Sequence, residues 1–150
     1  MHPKLDDWDR RITWWMERWG HPLHRYSLAL IFIWFGSLKL LGFKSATSVI
    51  AKTVYLGDPA VTVPVLGGWE LLIGITLAYH RWVRVALPLL GLRLIGTALA
   101  MALQPEVCFG ENWLAPTIQG QYLIKDLLLF SAAMVIGGTV REELHPYGED

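Results

Sequence analysis

The chain has 150 residues, 53% of them hydrophobic, with 13 Lys and Arg matched by 13 Asp and Glu. Zero net charge leaves no electrostatic footprint for a nucleic-acid partner. The single cysteine, Cys108, excludes an intramolecular disulfide and any cysteine-based metal site.

The hydrophobic residues are concentrated in four blocks, 23–43, 64–79, 82–103 and 122–140. Each approaches the ~20 residues a helix needs to cross a ~30 Å hydrocarbon core. Most of the chain is therefore committed to lipid, and no large soluble core can form. The expected fold is all-α: an integral membrane four-helix bundle (residues 21–143), preceded by an amphipathic interfacial helix (1–20) and followed by a flexible tail (144–150).

Residues 5–19, LDDWDRRITWWMERW, place Leu5, Trp8, Ile12, Trp15, Met16 and Trp19 on one helical face, with Asp9, Arg10, Glu17 and Arg18 away from it. Such tryptophan-rich helices lie in the headgroup plane with the apolar face down. A simple anchor is the reading preferred over a docking surface for another membrane protein. Asp6, Asp7, Asp9 and Glu17 interrupt any apolar core, which argues against a cleavable signal peptide. His21-Pro22 is expected to break this helix before the first span.

After the first span, Ala46, Val49, Ile50 and Thr53 share a face, predicting a short re-entrant or interfacial helix that Gly57-Asp58-Pro59 ends as a turn. The tight link at His80-Arg81 makes the second and third spans antiparallel neighbours. Pro88 removes the partner of the Arg84 carbonyl and predicts a kink in the third span. The last loop, residues 104–121, reads as irregular.

Lys and Arg set the orientation. Lys4, Arg10, Arg11, Arg18, Arg25, Arg81, Arg84 and Arg141 fall on one side, and only Lys44 and Lys52 on the other. Both termini are thus expected in the cytoplasm, with Trp82 on the inner side and Trp69 and Trp113 on the outer forming aromatic belts. Trp8, Trp15, Trp19 and Trp82 are the candidate membrane-interface anchors.

Five ionisable residues fall within the apolar blocks: Lys39, Glu70, Arg93, Lys125 and Asp126. Each costs roughly 2.5–3.5 kcal/mol to insert, so it must be paired, face protein or water, or serve a function. A rise of ~1.5 Å per residue puts Lys39 roughly 6 Å deep, Glu70, Lys125 and Asp126 roughly 9 Å, and Arg93 roughly 15 Å from the outer surface. All five belong to one half of the bilayer. Gly67 and Gly74 flank Glu70, and Gly96 and Thr97 accompany Arg93, as at close helix contacts. In one reading, Lys39 pairs with Glu70 and Arg93 with Asp126 to lock the bundle. In the other, the five form a polar pocket for a quinone headgroup or an anion, because three cations against two anions leave one positive charge over.

His21, His24 and His80, with His2 and His145, map to the cytoplasmic side. They read as interfacial histidines near lipid phosphates in preference to a metal or haem site, so no metal is expected. Glu106 and Glu111 beside Cys108 would raise its thiol pKa, which argues for an inert thiol. No phosphate loop, dinucleotide fingerprint or catalytic-triad pattern is present, so the chain has no motif that binds a cofactor.

Residues 25–40 (RYSLALIFIWFGSLKL), the following GFKSATSVI, the second-span GGWELLIGITL and the fourth-span GQYLIKDLLLFSAAMVI running into REEL together resemble the DoxX-like superfamily of small four-helix membrane proteins, nearest its YkgB-like branch (DUF417). The features are an Arg opening the first span, W-x-G-x-x-K near its end, a Gly/Glu pair in the second span and Gly-x-x-x-x-Lys-Asp opening the fourth. The resemblance covers roughly residues 24–143 and assigns Arg25, Lys39, Glu70, Lys125 and Asp126 to recurring positions, but not Arg93. It implies a bacterial inner-membrane protein linked to redox complexes, a quinone as the associated cofactor, and membrane-protein partners besides the lipid bilayer. The shorter segment between the first two spans and the added N-terminal helix depart from the YkgB-like pattern and favour an accessory, non-catalytic subunit. The alternatives are a stand-alone quinone-linked oxidoreductase subunit and a small-anion carrier.

Overall fold

A computed structural model describes residues 3–55, 57–110 and 114–144. Six α-helices occur among them: α1 (Pro3–Leu40), α2 (Lys44–Ala51), α3 (Pro59–Ala78), α4 (Val83–Leu103), α5 (Pro105–Phe109) and α6 (Ile118–Leu144), with a 3₁₀ turn at His80–Trp82. No strand occurs among the described residues. Three helical segments, Pro59–Ala78, His80–Leu103 and Ile118–Gly138, are long and apolar enough to cross a membrane. These are the second to fourth of the expected spans, the second beginning earlier than residue 64.

The first apolar block behaves differently. It forms the C-terminal half of α1, which runs without interruption through Pro22. The expected break at His21-Pro22 does not occur: a proline forfeits one backbone bond, to the Arg18 carbonyl, while the surrounding turns stay bonded. The tryptophan-rich segment is thus continuous with the first block. Trp8 to His21 are all exposed, including Trp8, Trp15 and Trp19. Met1 and His2, and residues 145–150 that include His145 and most of the expected tail, lie outside the described residues, as does Trp113.

Local chemistry explains the other boundaries. Asp58 caps α3, its carboxylate accepting from the Ala60 N–H at 2.9 Å, and Pro59 occupies the first turn, where its missing N–H costs nothing. The predicted short helix after the first block is α2. The last loop is less irregular than expected, since α5 forms within it. Pro88 sits inside α4 without ending it.

α1 packs most extensively on α3, and α4 on α6. The α1–α3 seam is a backbone contact. A Cβ on Gly36 would stand 2.7 Å from the Gly67 carbonyl oxygen, and one on Gly74 would stand 2.8 Å from the Ile33 nitrogen. Only glycine permits this approach. Many large apolar side chains point outward, among them Leu30, Trp34, Val65, Leu72, Ile95, Leu99, Leu127 and Leu128. Helices apolar on inner and outer faces alike fit surroundings of hydrocarbon.

Two apolar clusters fill the interior. Leu28, Ala29, Phe32, Ile73, Leu77, Val83, Ala86, Leu90, Ala133 and Ile136 form the larger, towards the α3–α4 turn. Ala100, Cys108 and Leu123 form the smaller, at the other end. Along α4 and α6, Arg93 and Asp126 fall between the two.

Candidate functional site: a buried ionic chain beside a cavity

Lys39, in the last turn of α1, is fully buried, and its Nζ donates to Oε2 of Glu70 on α3. The close seam makes the contact possible: a Cβ on Gly67 would lie 2.8 Å from Lys39 Cβ, so only a glycine three residues before Glu70 leaves room for the lysine stem. Glu70 Oε1 accepts from Nη1 of Arg93 on α4. Arg93 Nη2 donates to Asp126 Oδ1 on α6 at 3.1 Å, and Thr97 Oγ1 donates to Asp126 Oδ2 at 2.7 Å. Arg93 and Thr97 are one helical turn apart on α4, so both reach the same carboxylate. The guanidinium also lies 5.7 Å from the centroid of the Phe32 ring, within cation–π range.

One chain of side chains therefore joins four helices, Lys39–Glu70–Arg93–Asp126–Thr97, and each of the four carboxylate oxygens holds a donor. Both expected pairings, Lys39 with Glu70 and Arg93 with Asp126, are present. The Arg93–Glu70 pair that links them was not expected from sequence.

Lys125 does not belong to the chain. It is exposed, whereas Asp126 is 5% exposed. Successive residues on an α-helix are rotated by about 100°, so adjacent positions cannot share a buried face. Removing Lys125 corrects the charge count: the buried layer has two cations and two anions, with no positive charge left over.

The chain borders a cavity of about 320 Å³. Arg93, Thr97, Tyr122 and Asp126 make its polar end, while Ile50, Val54, Leu66, Trp69, Leu92 and Leu123 make apolar walls. The volume lies at the small end of ligand pockets, and a mostly apolar lining with a few polar groups is their usual character. α2 and the segment after it close one side, held by Gln104 Nε2 donating to the Val54 carbonyl at 3.3 Å. Sequence reasoning missed Tyr55, Thr53 and Tyr122 as wall residues. Tyr122 could have been found, since it stands one turn before Asp126 on the same face.

The remaining candidates lie elsewhere. Arg25 Nη1 and His80 Nδ1 are 2.7 Å apart, tying α1 to the α3–α4 turn, with the Arg25 guanidinium 4.7 Å from the Tyr26 ring centroid. No group of three His, Cys, Asp or Glu residues able to hold a metal occurs among the described residues. Trp82 is 53% exposed. Cys108 is fully buried where α5 meets α6: Thr117 Oγ1 donates to the Val107 carbonyl at 2.6 Å, and a Cβ on Gly120 would stand 2.0 Å from the Cys108 oxygen. Burial pushes the Cys108 thiol up by desolvation, while Glu111, one of the two acids expected to act on it, lies outside the described residues.

No family model, no curated protein and no solved structure matches this chain.

Proposed function

We propose that the chain is a four-span protein of the bacterial inner membrane, an accessory subunit of a redox-linked complex whose cavity receives the headgroup of a quinone. The observation that carries this reading is the cavity itself: apolar walls ending in a polar layer whose charges are internally balanced. A ligand seated there would be lipid-soluble and neutral, because the buried cations already have carboxylate partners. Burying an uncompensated anion beside them would cost several kcal/mol. The balanced count leaves no spare positive charge for an anion, so a small-anion carrier using the same residues is the less favoured reading.

The first of the four spans is the C-terminal half of α1. Leu28, Ala29, Phe32 and Lys39 face the other helices there, while Leu30, Ile31, Trp34 and Phe35 face outward. Cytoplasmic termini follow from the distribution of Lys and Arg. Lys125 then reaches along its helix toward the outer headgroups. The exposed Trp8, Trp15 and Trp19 anchor the N-terminal extension of α1 at the interface, with Trp82 at the α3–α4 turn. The resemblance to DoxX-like proteins supports the redox assignment, and the electron-transferring cofactor belongs to a partner.

Extraction in mild detergent, followed by mass spectrometry of the lipid extract and of co-purifying proteins, tests the reading. A quinone and a stoichiometric membrane partner are expected. Gly96→Leu should lose the quinone and keep the fold, since a Cβ at Gly96 meets only the Tyr55 hydroxyl, at 3.9 Å, and its side chain would fill the cavity. A lone protein that neither carries nor binds quinone would end the proposal.

A further inference from the structure

Two hydroxyls on the cavity wall take no part in the ionic chain. Tyr55 follows α2, and Tyr122 stands in the second turn of α6. No hydrogen bond to either occurs among the described residues. Among the described residues the sealed side-chain polar atoms without a partner are Arg25 Nε, Arg93 Nε and Gln104 Oε1. Neither tyrosine oxygen is among them, so both open onto accessible space.

Both also lie at the polar end. The Tyr55 hydroxyl is 3.9 Å from the Cβ position of Gly96, next to Thr97. Tyr122 stands one helical turn before Asp126 on α6 and lines the same wall as Arg93 and Asp126. Every carboxylate oxygen there already accepts a hydrogen bond, and the Arg93 Nη atoms and the Thr97 hydroxyl already donate one. The two phenols are the neutral donors that remain uncommitted.

We propose that Tyr55 and Tyr122 are the specificity-determining residues of the cavity, donating hydrogen bonds to carbonyl oxygens of a neutral, lipid-soluble ligand. The Arg93–Asp126 pair shapes the wall and keeps it electrically neutral without bonding the ligand. This rests on the quinone reading above and goes further in naming the groups that recognise the headgroup. Tyr55 comes from the segment that closes the cavity and Tyr122 from α6, so a bound headgroup would bridge the two.

The test uses the full chain in lipid nanodiscs and a short-chain benzoquinone with isotope-labelled carbonyls. Calorimetric titration gives the affinity, and infrared difference spectra report the carbonyl stretch. The expected result is a carbonyl band shifted down from its position in empty nanodiscs. Tyr55→Phe and Tyr122→Phe should each weaken binding about three- to tenfold, the worth of one hydrogen bond, and reverse part of the shift. Thermal stability should not change, because neither hydroxyl bonds within the fold. If both variants bind as the parent does with the band unmoved, the tyrosine assignment is overturned while the quinone reading stands. If the parent binds no quinone, both fall. Weaker binding with an equal loss of stability would assign the tyrosines to folding and also overturn the proposal.

Discussion

Glu70→Gln perturbs the ionic chain at its centre. Glu70 is the acid that bonds two cations, Lys39 and Arg93. Arg93 keeps Asp126 after the change, but Lys39 is fully buried and bonds no other acid among the described residues. Glutamine keeps the shape and one acceptor oxygen, so it can satisfy one cation while turning an amide N–H₂ toward the other. Two unit charges 4 Å apart are worth about 4 kcal/mol at an effective dielectric near 20. Breaking one member of a buried pair costs about 3–5 kcal/mol because the other charge is left uncompensated. The variant should lose that much stability, measured by reversible SDS unfolding in mixed micelles. Lys39→Met added to Glu70→Gln removes the stranded charge, and the double variant should return to within about 1–2 kcal/mol of the parent. Lys125→Gln serves as the control and should change stability by no more than about 0.5 kcal/mol. A Glu70→Gln protein as stable as that control, or a double variant no more stable than the single, would mean that Glu70 does not compensate the buried lysine.

Other perturbations probe other contacts. Gly74→Ala should cost about 1–3 kcal/mol by overpacking the α1–α3 seam, where its Cβ would meet Ile33 and the Ala29 carbonyl, whereas Gly68→Ala, with nothing within 4 Å, should be nearly neutral. Parallel unfolding curves separate the two. Cys108 should react slowly with maleimide at neutral pH: the thiolate is the reactive form, and burial raises the thiol pKa, so its population falls below that of an exposed cysteine. Labelling should accelerate as pH rises past the ordinary thiol range or on unfolding in SDS. Equal rates for folded and unfolded protein would contradict the burial.

The α-helical class and the three helices long and apolar enough to cross a membrane were legible because such helices need long uninterrupted apolar blocks, and those blocks are plain in sequence. α2 was legible too, from its apolar spacing. The continuity of α1 was not, since Pro22 is a helix-breaking signal whose outcome depends on the neighbouring turns. Within the site, the pairing of Lys39 with Glu70 and of Arg93 with Asp126 followed from charge and depth. The Glu70–Arg93 link did not, because it depends on how far α3 stands from α4. Lys125 was misplaced for a simpler reason. Charge and depth alone do not separate two adjacent residues on a helix, whereas the 100° between them does. Tyr55 escaped notice because the turn that brings it to the cavity has no periodic pattern.

A charge-neutral layer walling the cavity should admit a neutral ligand and disfavour a charged one. Calorimetric titration of the nanodisc-embedded chain with a short-chain benzoquinone and with its sulfonated, anionic analogue measures that preference. The expected result is saturable binding of one neutral quinone per chain, with the anion at least about tenfold weaker, as follows from burying an uncompensated charge. Equal or tighter binding of the anion, or binding of neither, would contradict it.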